Sequence, residues 1–88
     1  MPHMLAKMTG IKAEVIKGIL KAQAVGHAQE GFHLEHLWQN VDDPDEVLFL
    51  FKVEDLGHAK EFIAYAHAQS REVDPNGKLP VMTFLEEI

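Results

Sequence analysis

The sequence contains no cysteine, which excludes disulfide bonds, thiolate nucleophiles, iron–sulfur clusters and cysteine-based zinc sites. It is also poor in basic residues, with 8 Lys and Arg against 14 Asp and Glu and a formal net charge of −6 at pH 7. Arg71 is the only arginine. Proteins that bind nucleic acid need a basic surface for the phosphate backbone, so we expect no nucleic-acid partner.

Long apolar segments are absent as well. The run Val-Leu-Phe-Leu-Phe at residues 47–51 is far too short to span a bilayer, so we expect no membrane partner. Residues 1–7 lack the apolar stretch and the cleavage site of a signal peptide. Together with the missing cysteines, this leads us to expect a cytoplasmic protein.

The length of 88 residues predicts a single domain over residues 1–88, because two smaller units could not each bury a stable core. Hydrophobic residues make up 47% of the chain and charged residues 25%, a balance typical of globular proteins. Hydrophobic periodicity and turn residues then predict strands at 4–9, 32–41, 47–53 and 81–87, and helices at 12–27 and 56–71.

The predicted order of elements is β-α-β-β-α-β. Asp55 is the expected N-cap of the second helix, and the acidic, proline-containing residues 42–46 are the expected hairpin loop. With right-handed crossovers, this order gives a ferredoxin-like α+β fold, a four-stranded antiparallel sheet with both helices on one face.

The predicted strand 47–53 is apolar on both of its faces. Alternate side chains point to opposite faces of a strand. One set here is Val47, Phe49, Phe51 and Val53, and the other contains Leu48 and Leu50. Two helices can cover only one set, and soluble monomers seldom expose a large apolar patch. We therefore predict a homodimer in which a second sheet covers the other set; the alternative is that loops cover it.

Several segments resemble a known group of proteins. They are 36–51 (HLWQNVDDPDEVLFLF), 53–56 (VEDL), 58–62 (HAKEF) and 80–86 (PVMTFLE). They are similar to small stand-alone members of the dimeric α+β barrel superfamily, the antibiotic-biosynthesis-monooxygenase-like proteins. This resemblance covers about half of the chain. It implies a homodimer whose two sheets form a barrel. The sequence itself gives no sign of a cofactor, and we expect none.

The resemblance does not select a reaction. The superfamily includes cofactor-free oxygenases, haem-degrading enzymes, lactone isomerases and cyclases, and one fold can carry many activities. Its haem-degrading branch uses an Asn, a Trp and a His from separate elements. In this chain Asn40, Trp38 and His36 lie on one predicted strand, so we do not transfer that activity.

Alternation along the predicted strand 32–41 places His36, Trp38 and Asn40 on one face, together with Phe32 and Leu34. A His and a Trp beside an apolar cavity could hold a planar ligand, with His36 as the acid or base and Trp38 as the stacking surface. The alternative is a structural His and Trp within the core or the dimer interface.

The functional hypothesis is a small-molecule enzyme or binder of the monooxygenase-like group with an apolar or aromatic ligand. His36 is the catalytic candidate, and the predicted ligand-binding residues are Trp38, Asn40, Phe49 and Phe62. One alternative is a non-catalytic dimerisation or ligand-sensing module. Another is a tautomerase-like enzyme in which Pro2, exposed by removal of Met1, is the base.

Two His–Glu pairs have the chemistry of metal ligands, but neither has a third and fourth ligand at the sequence spacing typical of a metal site. They are His33 with Glu35 on one strand and His58 with Glu61 one helical turn apart. The acidic residues of 42–46 lack the ligand order of a calcium-binding loop. We therefore predict solvated surface residues and no metal site.

Overall fold

The computed structural model describes residues 1–88, which form four strands and three helices. In chain order these are β1 (His3–Thr9), α1 (Ala13–Ala22), α2 (Ala24–Gln29), β2 (Phe32–Asn40), β3 (Asp43–Val53), α3 (Leu56–Val73) and β4 (Val81–Leu85). None of the three helices combines the length and the apolar character that crossing a membrane requires.

The strands form one antiparallel sheet in the order β2-β3-β1-β4, so β2 and β4 are its edges. The helices cover one face of this sheet, where Ile16 and Leu20 of α1 and Ala59 of α3 join the buried core. This topology confirms the predicted ferredoxin-like α+β fold.

The predicted helix 12–27 is divided into α1 and α2. Gln23 separates them, because its backbone angles of φ −97° and ψ 3° leave the helical region. The backbone N–H of His27 donates to the carbonyl oxygen of Gln23, so a helix resumes at once. Gly31 then turns the chain into β2 with φ +81°, a left-handed conformation that glycine adopts without strain.

The start of α3 agrees with its predicted cap. Asp55 Oδ1 accepts a hydrogen bond from the backbone N–H of His58 at 3.1 Å, which satisfies one of the free donors of the first turn. The helix continues to Val73, two residues beyond the predicted end, and stops before the turn that contains Pro75.

The predicted hairpin loop 42–46 is wrong in its extent. The turn occupies only residues 41–42, and β3 begins at Asp43. Asn40 is paired with Asp43 while Gln39 is paired with Val47, so residues 44–46 form a bulge in β3. A bulge tolerates Pro44, because its residues do not follow the regular ladder of backbone hydrogen bonds.

A second irregularity lies in β2, where Leu34 is paired with Phe51 but His36 is paired with Leu50. Glu35 is therefore an extra residue in the strand. Paired residues of an antiparallel sheet point to the same face. The bulge thus leaves Leu34 on the helix-covered face and turns His36 to the opposite one.

We call this opposite surface of the sheet the open face, because no element of the chain covers it. Three rows of side chains run across it from β2 to β4. The rows are Trp38–Leu48–Lys7–Val81, His36–Leu50–Leu5–Thr83 and His33–Lys52–His3–Leu85. Leu48 and Leu50 are half-buried, while Trp38 is 46% exposed and Val81 66% exposed.

Candidate functional site

A cleft of about 720 Å³ lies between the α1–α2 pair and the edge strand β2. We call it the α1–α2 cleft. Its walls come from Lys17, Leu20 and Lys21 of α1, from Ala24, His27 and Ala28 of α2, from residues 32–37 of β2, and from Phe51 of β3. Ala24 and Ala28 present only methyl groups toward it, which leaves the space open.

The floor of the cleft is aromatic and rigid. Phe32 and Phe51 are 2% and 3% exposed, and their ring centroids are 6.3 Å apart. Phe49 packs edge-on against Phe51 at 5.7 Å, and Phe62 of α3 packs against Phe32 at 5.4 Å. An apolar floor held from behind in this way suits a flat ligand.

His27 is the imidazole at the centre of the cleft wall. Its ring meets the ring of Phe51 edge-on, with centroids 5.3 Å apart and planes at 83°. Burial lowers the pKa of His27 below its ordinary value of 6.5, because desolvation disfavours the charged form. The neutral ring therefore offers one N–H donor and one nitrogen acceptor at pH 7.

The sequence analysis missed His27 because the helix prediction ended there. A signal was nevertheless present in the spacing of the apolar stripe. Ile16 and Leu20 face the core, and His27 follows Leu20 by two helical turns across the break at Gln23. His27 thus continues the core-facing side of α1 into α2, where it is half-buried.

The predicted pairing of His36 and Trp38 is present, but on the open face. Their rings are stacked with centroids 4.9 Å apart and planes at 15°. Phe32 and Leu34 do not share that face, because the bulge at Glu35 interrupts the alternation. His36 also borders the α1–α2 cleft where β2 forms its wall.

The remaining predicted site residues lie elsewhere. Phe49 and Phe62 are on the helix-covered side, where they support the floor of the cleft without lining it. Asn40 lies at the hairpin, where its Oδ1 accepts from the backbone N–H of Asp42 at 2.9 Å. The structure therefore does not bring His36, Trp38, Asn40, Phe49 and Phe62 together in one cavity.

The histidines that were considered as metal ligands bind carboxylates from other elements. His33 Nε2 lies 2.7 Å from Glu54 Oε2, and His58 Nε2 lies 2.6 Å from Glu30 Oε2. No group of three or more His, Asp or Glu side chains converges in a way that could hold a metal ion. Since these pairs are solvent-exposed, each contributes little stability.

Pro2 lies apart from the α1–α2 cleft. Its carbonyl oxygen accepts a hydrogen bond from the backbone N–H of Val53 at 2.9 Å, beside the end of β3. Pro2 is not among the residues that line the cleft. The geometry thus provides no substrate pocket of this size around the tautomerase-like candidate.

Comparison with known proteins identifies the fold. No protein-family model matches the sequence, and no curated protein matches it. Among solved structures, a proposed antibiotic biosynthesis monooxygenase from Deinococcus radiodurans superposes with a TM-score of 0.64 at 17% identity, covering 100% of this chain and 93% of that one. An antibiotic biosynthesis monooxygenase superposes with a TM-score of 0.60 at 15% identity, covering 100% and 99%.

The chain has the fold of the antibiotic biosynthesis monooxygenase-like proteins. An uncharacterised NIPSNAP domain protein from Burkholderia xenovorans has it too, with a TM-score of 0.59 at 18% identity and coverage of 100% and 95%. The predicted monooxygenase-like resemblance is confirmed at the level of the fold. A monooxygenase-like fold shared at such low identity does not assign a reaction, which depends on the site.

Two half-buried histidines, His27 and His67, predict a dependence of stability on pH. The pKa of His67 is also below 6.5, because burial and then the charge of Arg71 disfavour its protonated form. Between pH 6.5 and these lowered pKa values, the unfolded chain binds more protons than the folded one. The free energy of unfolding is therefore expected to fall as the pH drops below about 6.5.

Urea denaturation from pH 7.5 to pH 5 checks this, with the wild type compared with His27→Gln/His67→Gln. Carboxylate titrations are common to both proteins, so the difference in their pH slopes reports the two histidines. We expect the free energy of unfolding to fall less steeply with decreasing pH in the variant than in the wild type. Parallel declines would show that neither imidazole is desolvated in the folded state.

Proposed function

We propose that the chain is a small-molecule enzyme or binder of the monooxygenase-like group, that it takes an apolar or aromatic ligand, and that it acts as a cytoplasmic homodimer. The observation that carries the proposal is the α1–α2 cleft, with its aromatic floor and the neutral ring of His27 at its wall. Its volume of about 720 Å³ lies within the range of small-molecule sites.

The apolar body of the proposed ligand lies against Leu34, which is 45% exposed in the cleft wall, and reaches only the small exposed parts of Phe32 and Phe51. Phe49 and Phe62 contribute by holding these rings in place. His27 and His36 both border the cleft and are the proton-transfer candidates. Trp38 positions the His36 ring by stacking on it. Asn40 contributes only by stabilising the hairpin at the end of β2.

Filling the cleft is expected to block binding. Ala28 is exposed on α2 and lines the cleft, so Ala28→Phe adds a ring to the ligand's space without removing a core contact. The probe is 2-naphthol, a flat aromatic molecule of the proposed ligand class. We expect its affinity to fall by about tenfold or more, because the added ring excludes it from the cleft. A ¹⁵N–¹H NMR titration measures this from the amide shifts of Leu20, Ala28 and Phe51 in the wild type.

Ala22→Phe is the matched control, because Ala22 is exposed on α1 and does not line the cleft. It is expected to leave the affinity unchanged. If 2-naphthol shifts none of these amides in the wild type, or binds both variants equally well, the cleft is not the ligand site.

Turnover distinguishes an enzyme from a binder. If the protein is an oxygenase, the wild type converts bound 2-naphthol and dissolved O2 to 1,2-naphthoquinone and water, as followed by loss of the 2-naphthol NMR resonances. His36→Ala is expected to abolish that conversion while keeping the fold and the affinity. Retained conversion in His36→Ala but not in His27→Gln would assign the proton transfer to His27. Binding without any conversion in the wild type would favour a non-catalytic, ligand-sensing module.

The open face supports the proposed homodimer. Its first two rows contain Leu5, Leu48, Leu50, Trp38 and Val81, an apolar surface on one side of the sheet. Packing against the same face of a second copy removes this surface from water, with each large side chain contributing about 1.5–3 kcal/mol when fully buried. In a two-fold symmetric dimer, the same contact buries this surface on both copies.

Sedimentation velocity tests the dimer. The wild type is expected to sediment at twice the chain mass of 9.9 kDa at low micromolar concentration. Leu50→Glu is expected to sediment at 9.9 kDa, because an unpaired carboxylate at the interface is costly to desolvate. Val15→Glu makes the same change on the exposed surface of α1 and is expected to remain dimeric. A wild-type monomer would refute the proposal.

A further inference from the structure

We propose that the ligand of the α1–α2 cleft carries a carboxylate, which binds the ammonium groups of Lys17 and Lys21 while its aromatic body lies in the cleft against Leu34. This inference rests on the proposed function, because it specifies the class of small molecule that the cleft takes.

Lys17 and Lys21 lie one helical turn apart on α1, so their side chains extend from the same face of the helix. Both line the cleft whose floor contains Leu20, Phe32 and Phe51. Two cations are therefore held side by side at the rim of an apolar cavity. A ligand with an apolar body and one anionic end matches this arrangement.

Neither lysine has a carboxylate partner. No Asp or Glu oxygen lies within 4.0 Å of either ammonium group, since all ion pairs of the chain are formed by histidines. The protein carries 14 acidic residues and only 8 Lys and Arg, so acidic partners are plentiful. No lysine of the chain forms an ion pair, so Lys17 and Lys21 are distinguished by their shared position at the cavity, where both charges are available to a ligand.

The other titratable groups of the cleft cancel this charge only in part, because one carboxylate stands against two ammonium groups. Glu35 is the only carboxylate in its walls, and its Oε1 lies 2.8 Å from His3 Nε2. His33 is engaged with Glu54, and His36 is stacked on Trp38. His27 offers an N–H donor to the ligand without adding a charge, because burial lowers its pKa.

The expected preference for an anion is moderate. Lys17 and Lys21 are exposed, and ion pairs at exposed positions are individually weak and screened by salt. Two such pairs to one carboxylate, next to an apolar floor, lead us to expect a preference of about tenfold over a neutral ligand at low ionic strength. The preference is expected to shrink as salt is added.

The test compares 2-naphthoate with 2-naphthol, which share the naphthalene ring and differ in charge at pH 7. Amide shifts of Leu20, Ala28 and Phe51 in ¹⁵N–¹H NMR spectra give both affinities. We expect the wild type to bind 2-naphthoate about tenfold more tightly at low salt. In Lys17→Gln/Lys21→Gln the two affinities are expected to agree within about twofold, with the affinity for 2-naphthol unchanged.

Lys12→Gln/Lys60→Gln is the control, because it removes the same charge from two exposed lysines outside the cleft. It is expected to keep the preference for 2-naphthoate, and the dispersion of the NMR spectra verifies that each variant is folded. Equal binding of both probes by the wild type overturns the carboxylate inference but leaves the proposed ligand site intact. A preference that survives in Lys17→Gln/Lys21→Gln also overturns it. Binding of neither probe overturns the proposed function as well.

Discussion

The burial of one side of β3 is the interaction on which the rest of the structure depends. Val47, Phe49, Phe51 and Val53 are all buried beneath the helices, and no other strand contributes as many residues to the core. These four side chains of β3 pack against α1 and α3, and one of them, Phe51, belongs to the floor of the α1–α2 cleft. Because strand residues alternate, this burial leaves Leu48 and Leu50 on the open face. The core, the cleft and the proposed interface therefore share one strand.

The bulge at Glu35 divides the polar and aromatic residues of β2 between two different surfaces. Before it, Phe32 and Leu34 point toward the helices; after it, His36 and Trp38 point to the open face. One additional residue reverses every later side chain, since the period of a strand is two. Glu35 itself is held by His3 of β1, so a contact across the sheet accompanies the irregularity. The cleft thus receives its imidazole from α2, as His27.

The likeness to monooxygenase-like proteins and to a NIPSNAP domain protein extends over the whole chain, at identities of 15–18%. At that distance the fold is shared, while the chemistry depends on side chains that differ from protein to protein. In this chain the distinctive groups are the desolvated His27, the unpaired Lys17 and Lys21, and the aromatic floor. They combine stacking, hydrogen bonding and a positive rim, and this combination underlies the proposed class of ligand.

Local pattern alone was enough to predict the order of the four strands and the two helical regions, the cap at Asp55 and the two-sided apolar character of β3. Each of these depends on neighbouring residues, whose periodicity and turn chemistry act within a few positions. The cleft could not be predicted in this way, because it depends on the register of β2 against β3 and on a break in the helix at Gln23. Which histidines are desolvated, and which lysines lie at the cleft, was likewise decided by tertiary structure. Those properties arise from contacts between residues far apart in the chain, as in the pairing of His3 with Glu35 and of His58 with Glu30.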